Sequence, residues 1–96
     1  VQGIQGAVGL YPFMVANRIS YALNLQGPSE VIDTACSSSM VALHRAVESL
    51  RNGSCEMALA GGSNIMSSAA ISMDASAGGV LSPDGRCKTF ARQADG

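Results

Sequence analysis

One of the three cysteines, Cys36, lies in the polar segment Asp33–Ser39 and is the strongest candidate for covalent chemistry. A cysteine thiolate is a good nucleophile and a good leaving group at neutral pH, so it suits acyl transfer. A helix beginning at this point would stabilise the thiolate through its free backbone N–H groups and its dipole. The alternative interpretation is a small buried apolar residue, because free cysteines are among the most buried residue types.

Two sequence patterns place Cys36 between a strand and a helix. The β-branched residues before it predict a buried strand over Val31–Ala35. Apolar residues at helical spacing predict a helix from about Cys36 to Asn52, followed by Gly53 at the position where a left-handed residue ends helices. The helical stripe consists of Met40, Leu43, Val47 and Leu50. A nucleophile at such a strand-to-helix turn has the geometry of a nucleophile elbow.

Weaker patterns predict the other elements. Residues 1–11 favour a glycine-rich loop, Pro12 could open a helix that runs to about Leu23, and a short helix with loops fits Ile65–Gly79. The apolar run Met57–Ala60 predicts a second buried strand, so the order strand, helix, strand implies a right-handed parallel crossover. Ser82–Gly85 has the residues of a tight turn.

The stretch PSEVIDTACSSSMVAL, which ends at Leu43, resembles the active-site segment of the β-ketoacyl synthase family. It is most similar to the ketosynthase domains of modular polyketide synthases. The resemblance extends from about Val15 to Gly96 through further motifs in the same order, with mild departures at Met40, Ser63 and Ala91. The further motifs are Ala16–Tyr21, Asn24–Ser29, Ala60–Asn64 and Leu81–Phe90.

The resemblance implies a thiolase-like α/β fold with α-β-α-β-α layers. Residues 1–96 would be one partial domain, an internal fragment belonging to the N-terminal half of a β-ketoacyl synthase. The glycine- and alanine-rich composition, with few aromatic residues, suits such closely packed layers.

The activity that the resemblance implies is decarboxylative Claisen condensation in polyketide or fatty-acid biosynthesis. Cys36 would be the nucleophile that carries the acyl thioester, and its backbone N–H would be an oxyanion donor. Two histidines that assist decarboxylation in the family come from its second half. The only histidine here is His44, which matches neither and is expected to be a surface residue. The fragment alone is therefore expected to be inactive.

The implied partners are an acyl carrier protein, whose phosphopantetheine arm carries the acyl and malonyl-type thioesters, and a second copy joined through the strand Val31–Ala35. Arg86 and Lys88 form the main cluster of positive charge, which could contact an acidic carrier or simply be solvated. No bound cofactor or metal site is expected. Gly61 and Gly62 lack a phosphate-binding pattern around them, and the cysteines lack zinc-ligand spacing.

The net charge of −1 gives no electrostatic reason to expect nucleic acid or an anionic membrane as a partner. The odd number of cysteines favours a reducing, cytoplasmic location. Two other functions stay open. A cysteine hydrolase would need a base within reach of Cys36, and a non-catalytic ketosynthase-like partner would lack the downstream histidines.

Overall fold

The computed structural model describes residues 9–96. Three α-helices lie wholly within this range: α1 (Met14–Ala22), α2 (Ser38–Arg51) and α3 (Ala70–Ala77). A 3₁₀ turn, Ala35–Ser37, directly precedes α2. The three predicted helices are therefore confirmed, with shorter bounds. Of the loop expected over residues 1–11, residues 1–8 lie outside the described residues, and the prediction is wrong at residues 9 and 10, which are helical.

The two predicted strands are wrong. Val31–Ala35 and Met57–Ala60 both have irregular backbone, and no residue between 9 and 96 belongs to a β-strand. The physical reason is that a strand forms only when its N–H and C=O groups pair with a neighbouring strand. Neither segment has such a neighbour in the described part of the chain, so the β-branched pattern alone does not produce a sheet.

Each of the three helices ends in the same backbone motif. After α2, Gly53 adopts a φ of 76° and donates its N–H to the Leu50 carbonyl at 3.3 Å. The Ser54 N–H then donates to the Ser49 carbonyl at 2.9 Å, which completes a Schellman motif. The predicted role of Gly53 is thus confirmed. The corresponding left-handed residues after α1 and α3 are Asn24 and Gly79.

The chain divides into two compact units, Val1–Gly62 and Ser63–Gly96. In the first unit, the Ser20 hydroxyl of α1 donates to the Ser29 hydroxyl at 2.9 Å, and Arg45 of α2 lies 4.0 Å from the Glu30 carboxylate. These two contacts connect both helices to the segment that leads into Cys36.

None of the described residues is fully buried. Large apolar side chains stay in contact with solvent in both units, and Tyr21 and Ile65 are 90% and 85% exposed. The apolar face of α2 is also open, since Met40 is 67% exposed. Of the helices within residues 9–96, none combines the length and apolar character needed to cross a membrane.

Candidate active site

Cys36 is the middle residue of the 3₁₀ turn, two residues before α2 begins. The residue before it, Ala35, has a φ of 57°, in the left-handed region. For a residue with a Cβ atom this conformation costs about 1–2 kcal/mol. The chain therefore reverses sharply at the cysteine, and the strain must be offset by contacts around the turn.

Hydroxyl groups supply these contacts within residues 33–38, which we call the Cys36 turn. The Ser38 hydroxyl accepts the Thr34 N–H at 2.8 Å and donates to the Ala35 carbonyl at 2.6 Å. The Ser37 hydroxyl donates to the Thr34 carbonyl at 2.9 Å and lies 2.7 Å from the Thr34 hydroxyl. Together these bonds connect the residues before Cys36 to the residues after it.

Asp33 takes part in the same turn. Its Oδ1 atom accepts the Ala35 N–H at 3.1 Å, which closes an Asx turn around the left-handed residue. A carboxylate just before a helix could be buried and paired, or could cap that helix. The structure shows an exposed side chain that stabilises the turn itself.

Ser37, Ser38 and Ser39 are of a residue type that often caps helices, but they do not cap α2. Ser37 is the N-cap residue, but no side chain accepts a hydrogen bond from the first N–H groups of the helix. The reason is geometric: Ser37 and Ser38 direct their hydroxyls back to Thr34 and Ala35. The amino end of α2, next to Cys36, therefore keeps backbone donors that no side chain has taken.

Cys36 is exposed and unpaired, and all three cysteines are free thiols. No histidine accompanies it in the described residues. His44 lies eight positions further along, about 12 Å at the helical rise of 1.5 Å per residue. Its Nε2 atom instead lies 3.6 Å from Glu48, which also pairs with Arg45 at 3.8 Å. His44 therefore occupies the surface position that the sequence predicted, without a base for Cys36.

The second unit contains a separate polar group that we call the Lys88 cluster (Ser82, Asp84, Lys88 and Asp95). The Lys88 ammonium lies 2.7 Å from the Asp95 carboxylate, 3.1 Å from Asp84 and 3.3 Å from the Ser82 hydroxyl. The Ser82 Oγ atom also lies 2.8 Å from each of the two carboxylates. An ammonium has three donors, so Lys88 is fully satisfied.

Backbone geometry helps to form this cluster. The Gly85 N–H donates to the Ser82 carbonyl at 3.0 Å, which confirms the predicted turn, and Gly85 has a φ of 70°. The Asp84 carboxylate accepts the Arg86 N–H at 3.1 Å. Of the two cations in the predicted basic cluster, Lys88 is therefore neutralised and Arg86 stays exposed.

Hydrogen bonds lower the pKa values of both carboxylates in the cluster. The Ser82 hydroxyl, followed by Lys88 and the Arg86 N–H, holds the pKa of Asp84 below its usual value. Lys88, followed by Ser82, does the same for the pKa of Asp95. Both groups are exposed, so solvent screens these interactions.

A shallow cavity of about 290 Å³ lies in the second unit, lined mainly by apolar side chains that include Ile65, Met66, Ile71 and Leu81. It includes none of the residues predicted to do chemistry. Within residues 9–96, no three histidine, cysteine or carboxylate side chains come together as a metal site.

The comparison with protein families accounts for the sequence around Cys36. All of residues 1–96 match the family described as "Beta-ketoacyl synthase, N-terminal domain". The chain therefore belongs to the β-ketoacyl synthase family, which confirms the family suggested by the active-site segment.

The similar curated proteins are polyketide synthases. The chain is 53% identical over 89 residues to spectinabilin polyketide synthase system protein NorA' of Streptomyces orinoci, covering 93% of this chain. It is 54% identical over 92 residues to polyketide synthase PksN of Bacillus subtilis and 53% identical over 83 residues to mycoketide-CoA synthase of Mycobacterium tuberculosis, covering 94% and 86% of this chain. The matched region is 2% of the length of each relative.

Proposed function

We propose that residues 1–96 provide the acyl-accepting cysteine of a polyketide ketosynthase that catalyses decarboxylative Claisen condensation. The observation that carries this proposal is the position of Cys36: an exposed thiol in a strained turn at the amino end of α2. The family match and the polyketide synthase relatives support the same reaction class. The chain would be part of the N-terminal half of one thiolase-like α/β domain, whose sheet would need residues from elsewhere.

The first step is acyl transfer to sulfur. The Cys36 thiolate attacks the carbonyl carbon of an acyl thioester, a C–S bond forms, and the phosphopantetheine thiolate of the carrier protein leaves. The exposure of Cys36 favours this step, because the arm must bring its thioester to the sulfur. The positive end of the helix dipole favours the anionic nucleophile.

The second step forms the carbon–carbon bond. A malonyl-type extender on a carrier protein loses carbon dioxide, and its carbanion attacks the Cys36 thioester carbonyl, which releases the Cys36 thiolate. The negative charge on the carbonyl oxygen needs preorganised donors. The Cys36 N–H is the proposed donor, and the uncapped amino end of α2 beside it supports this role.

His44 pairs with Glu48 and lies about two helical turns from Cys36, so it cannot assist the reaction at the sulfur. We therefore propose that the histidines of the site come from outside residues 1–96. For the same reason, nothing in the described site favours a cysteine hydrolase. The carrier protein is the proposed partner, and Arg86 rather than the neutralised Lys88 would contact its acidic surface. The homodimer remains a prediction, and the strand at Val31–Ala35 that was expected to form its interface is absent from the described residues. The cytoplasmic location also remains a prediction.

Detection of the covalent acyl-enzyme tests this proposed function. The intact polypeptide that contains residues 1–96 is incubated with an acyl thioester, and mass spectrometry of the digest locates the acyl group. We expect the added mass on the peptide with Cys36. Replacement of the nucleophile, Cys36→Ala, should remove the label and lower the condensation rate by at least about a thousandfold, as loss of a covalent nucleophile does in other enzymes.

Cys87 provides the matched control, because it is also an exposed, free thiol. Cys87→Ser should keep full acylation of Cys36 and full condensation activity. A label that moves to Cys87, or condensation that survives Cys36→Ala, would contradict the proposed function.

A further inference from the structure

We propose that the Lys88 cluster is an ionic clasp that holds residues 82–95 folded back on themselves, and that this clasp opens when the charge of Lys88 is lost. This inference goes beyond the proposed function and does not depend on it. The geometry that carries it is the set of contacts that the Lys88 ammonium makes with Ser82, Asp84 and Asp95.

The clasp connects positions that are far apart along the chain. Ser82 and Asp95 are 13 residues apart and share a hydrogen bond of 2.8 Å. Among the described residues of the second unit, the side-chain hydrogen bonds that do not join two cluster members connect residues two positions apart. The unit has no fully buried residue that could hold the two ends of the segment together instead.

The charges explain why Lys88 is the essential member. Two carboxylates lie against one hydroxyl, and among the described residues the Lys88 ammonium is the cation paired with both. The Lys88 side chain is 23% exposed, while both aspartates are exposed, so the contribution of each single pair is modest and the three contacts act together. Without Lys88, the two like charges would push the ends of the segment apart.

The segment inside the clasp contains exposed groups that depend on its closure. Phe90 lies within it with a φ of 64° and is fully exposed. A left-handed aromatic residue is strained, so the surrounding segment must hold it in place. Opening of the clasp releases this conformation and makes the backbone next to Arg86 and Arg92 accessible.

Trypsin cleavage of the intact polypeptide tests the clasp, because Arg86 and Arg92 are cleavage sites within it and Arg51 is a reference site in the first unit. Lys88 is itself a trypsin site in the wild type, so initial rates are measured on chains not yet cut after residue 88. Cleavage of a folded chain follows the population of the open form. Lys88→Met should raise the rate after Arg86 and Arg92 at least about threefold, the effect of losing several exposed ion pairs, with no change after Arg51. Lys88→Arg, which keeps the charge, should stay close to the wild type.

A double variant separates a charge mechanism from simple loss of packing. Asp95→Asn in the Lys88→Met background removes one of the two repelling carboxylates, so we expect cleavage to slow again. Three results would overturn the clasp: unchanged cleavage in Lys88→Met, an equal rise after Arg51, or a double variant that is cleaved faster than Lys88→Met. Because the readout is proteolysis, it is independent of any result on Cys36 acylation.

Discussion

The Cys36 turn and the Lys88 cluster both hold a strained, left-handed residue in an exposed segment, yet they use opposite means. In the Cys36 turn, short neutral hydroxyl bonds join residues no more than four positions apart, and Ala35 has a φ of 57°. In the Lys88 cluster, an ammonium and two carboxylates join residues up to 13 positions apart, and Phe90 has a φ of 64°.

The two segments should therefore differ in how strongly they respond to salt and to pH. The hydroxyl bonds of the Cys36 turn are neutral and respond little to salt or acid, and the bond from the Ala35 N–H to the Asp33 carboxylate is the charged contact of this turn. Charged, long-range contacts weaken when salt screens them or when acid protonates the carboxylates. Cys36 therefore lies in a turn held mainly by neutral hydroxyl bonds, while the Lys88 cluster depends on charge.

Among the substitutions that test this difference between the two segments, Ser38→Ala should have the largest effect. This change removes the hydroxyl that bonds both Thr34 and Ala35, so Cys36 loses its positioning. Small misplacements of a reacting group can cost about a hundredfold in rate. We expect Cys36 acylation in the intact polypeptide to slow by about ten- to a hundredfold, measured by the growth of the acyl-enzyme mass.

Ser39→Ala is the matched control, because this neighbouring serine makes no side-chain hydrogen bond among the described contacts of the turn. It should acylate at the wild-type rate. If both variants slowed equally, the hydroxyl network would not be what positions the cysteine.

A smaller effect is expected from acid in the Lys88 cluster. The pKa values of Asp84 and Asp95 are lowered in the folded chain, so their stabilising contribution is complete above the ordinary aspartate value of 3.8. It is lost as the pH falls through the lowered values, because protonation then favours the open segment. Pepsin pulses at decreasing pH should cleave next to Phe90 several-fold faster, relative to a free peptide of residues 80–96.

The variant in which both Asp84 and Asp95 are changed to Asn controls for pepsin itself. Its cleavage, relative to the free peptide, should not depend on pH. If the wild type showed the same flat profile, the carboxylates would not hold the segment closed.

The smallest effect is expected from Ala35→Gly. Glycine adopts the left-handed region without steric cost, so the substitution relieves strain but adds freedom to the unfolded chain. The two effects oppose each other, and we expect a net change in stability of no more than about 1 kcal/mol. Cys36 acylation should change less than twofold. A large loss would show that the alanine methyl group itself shapes the site.

Local signals in the sequence explain which elements could be predicted. Apolar residues at helical spacing predicted α2, Gly53 predicted its end, and proline with glycine predicted the turn at Ser82–Gly85, because each pattern acts within a few residues. The strands at Val31–Ala35 and Met57–Ala60 failed for the opposite reason. A strand depends on partners elsewhere, and its own residues do not reveal whether those partners are present.

Side-chain positions in the candidate site were also not predictable from local sequence patterns. The family motif identified Cys36, but not the direction of the serine hydroxyls, which depends on the left-handed conformation of Ala35. Alanine rarely adopts that conformation, so nothing in its identity predicted the turn. The sequence analysis predicted neither carboxylate as a partner of Lys88, and no local pattern links Asp95 to Ser82, which lies 13 residues away.

The open apolar surface has a practical consequence for anyone who produces residues 1–96 alone. Exposed apolar patches promote self-association, and a net charge of −1 provides little mutual repulsion between copies. Colloidal stability should therefore be poorest near the isoelectric point of about 5.6, where that repulsion vanishes. A fusion partner of high negative charge, or a buffer well above this pH, would keep the polypeptide dispersed long enough to be handled.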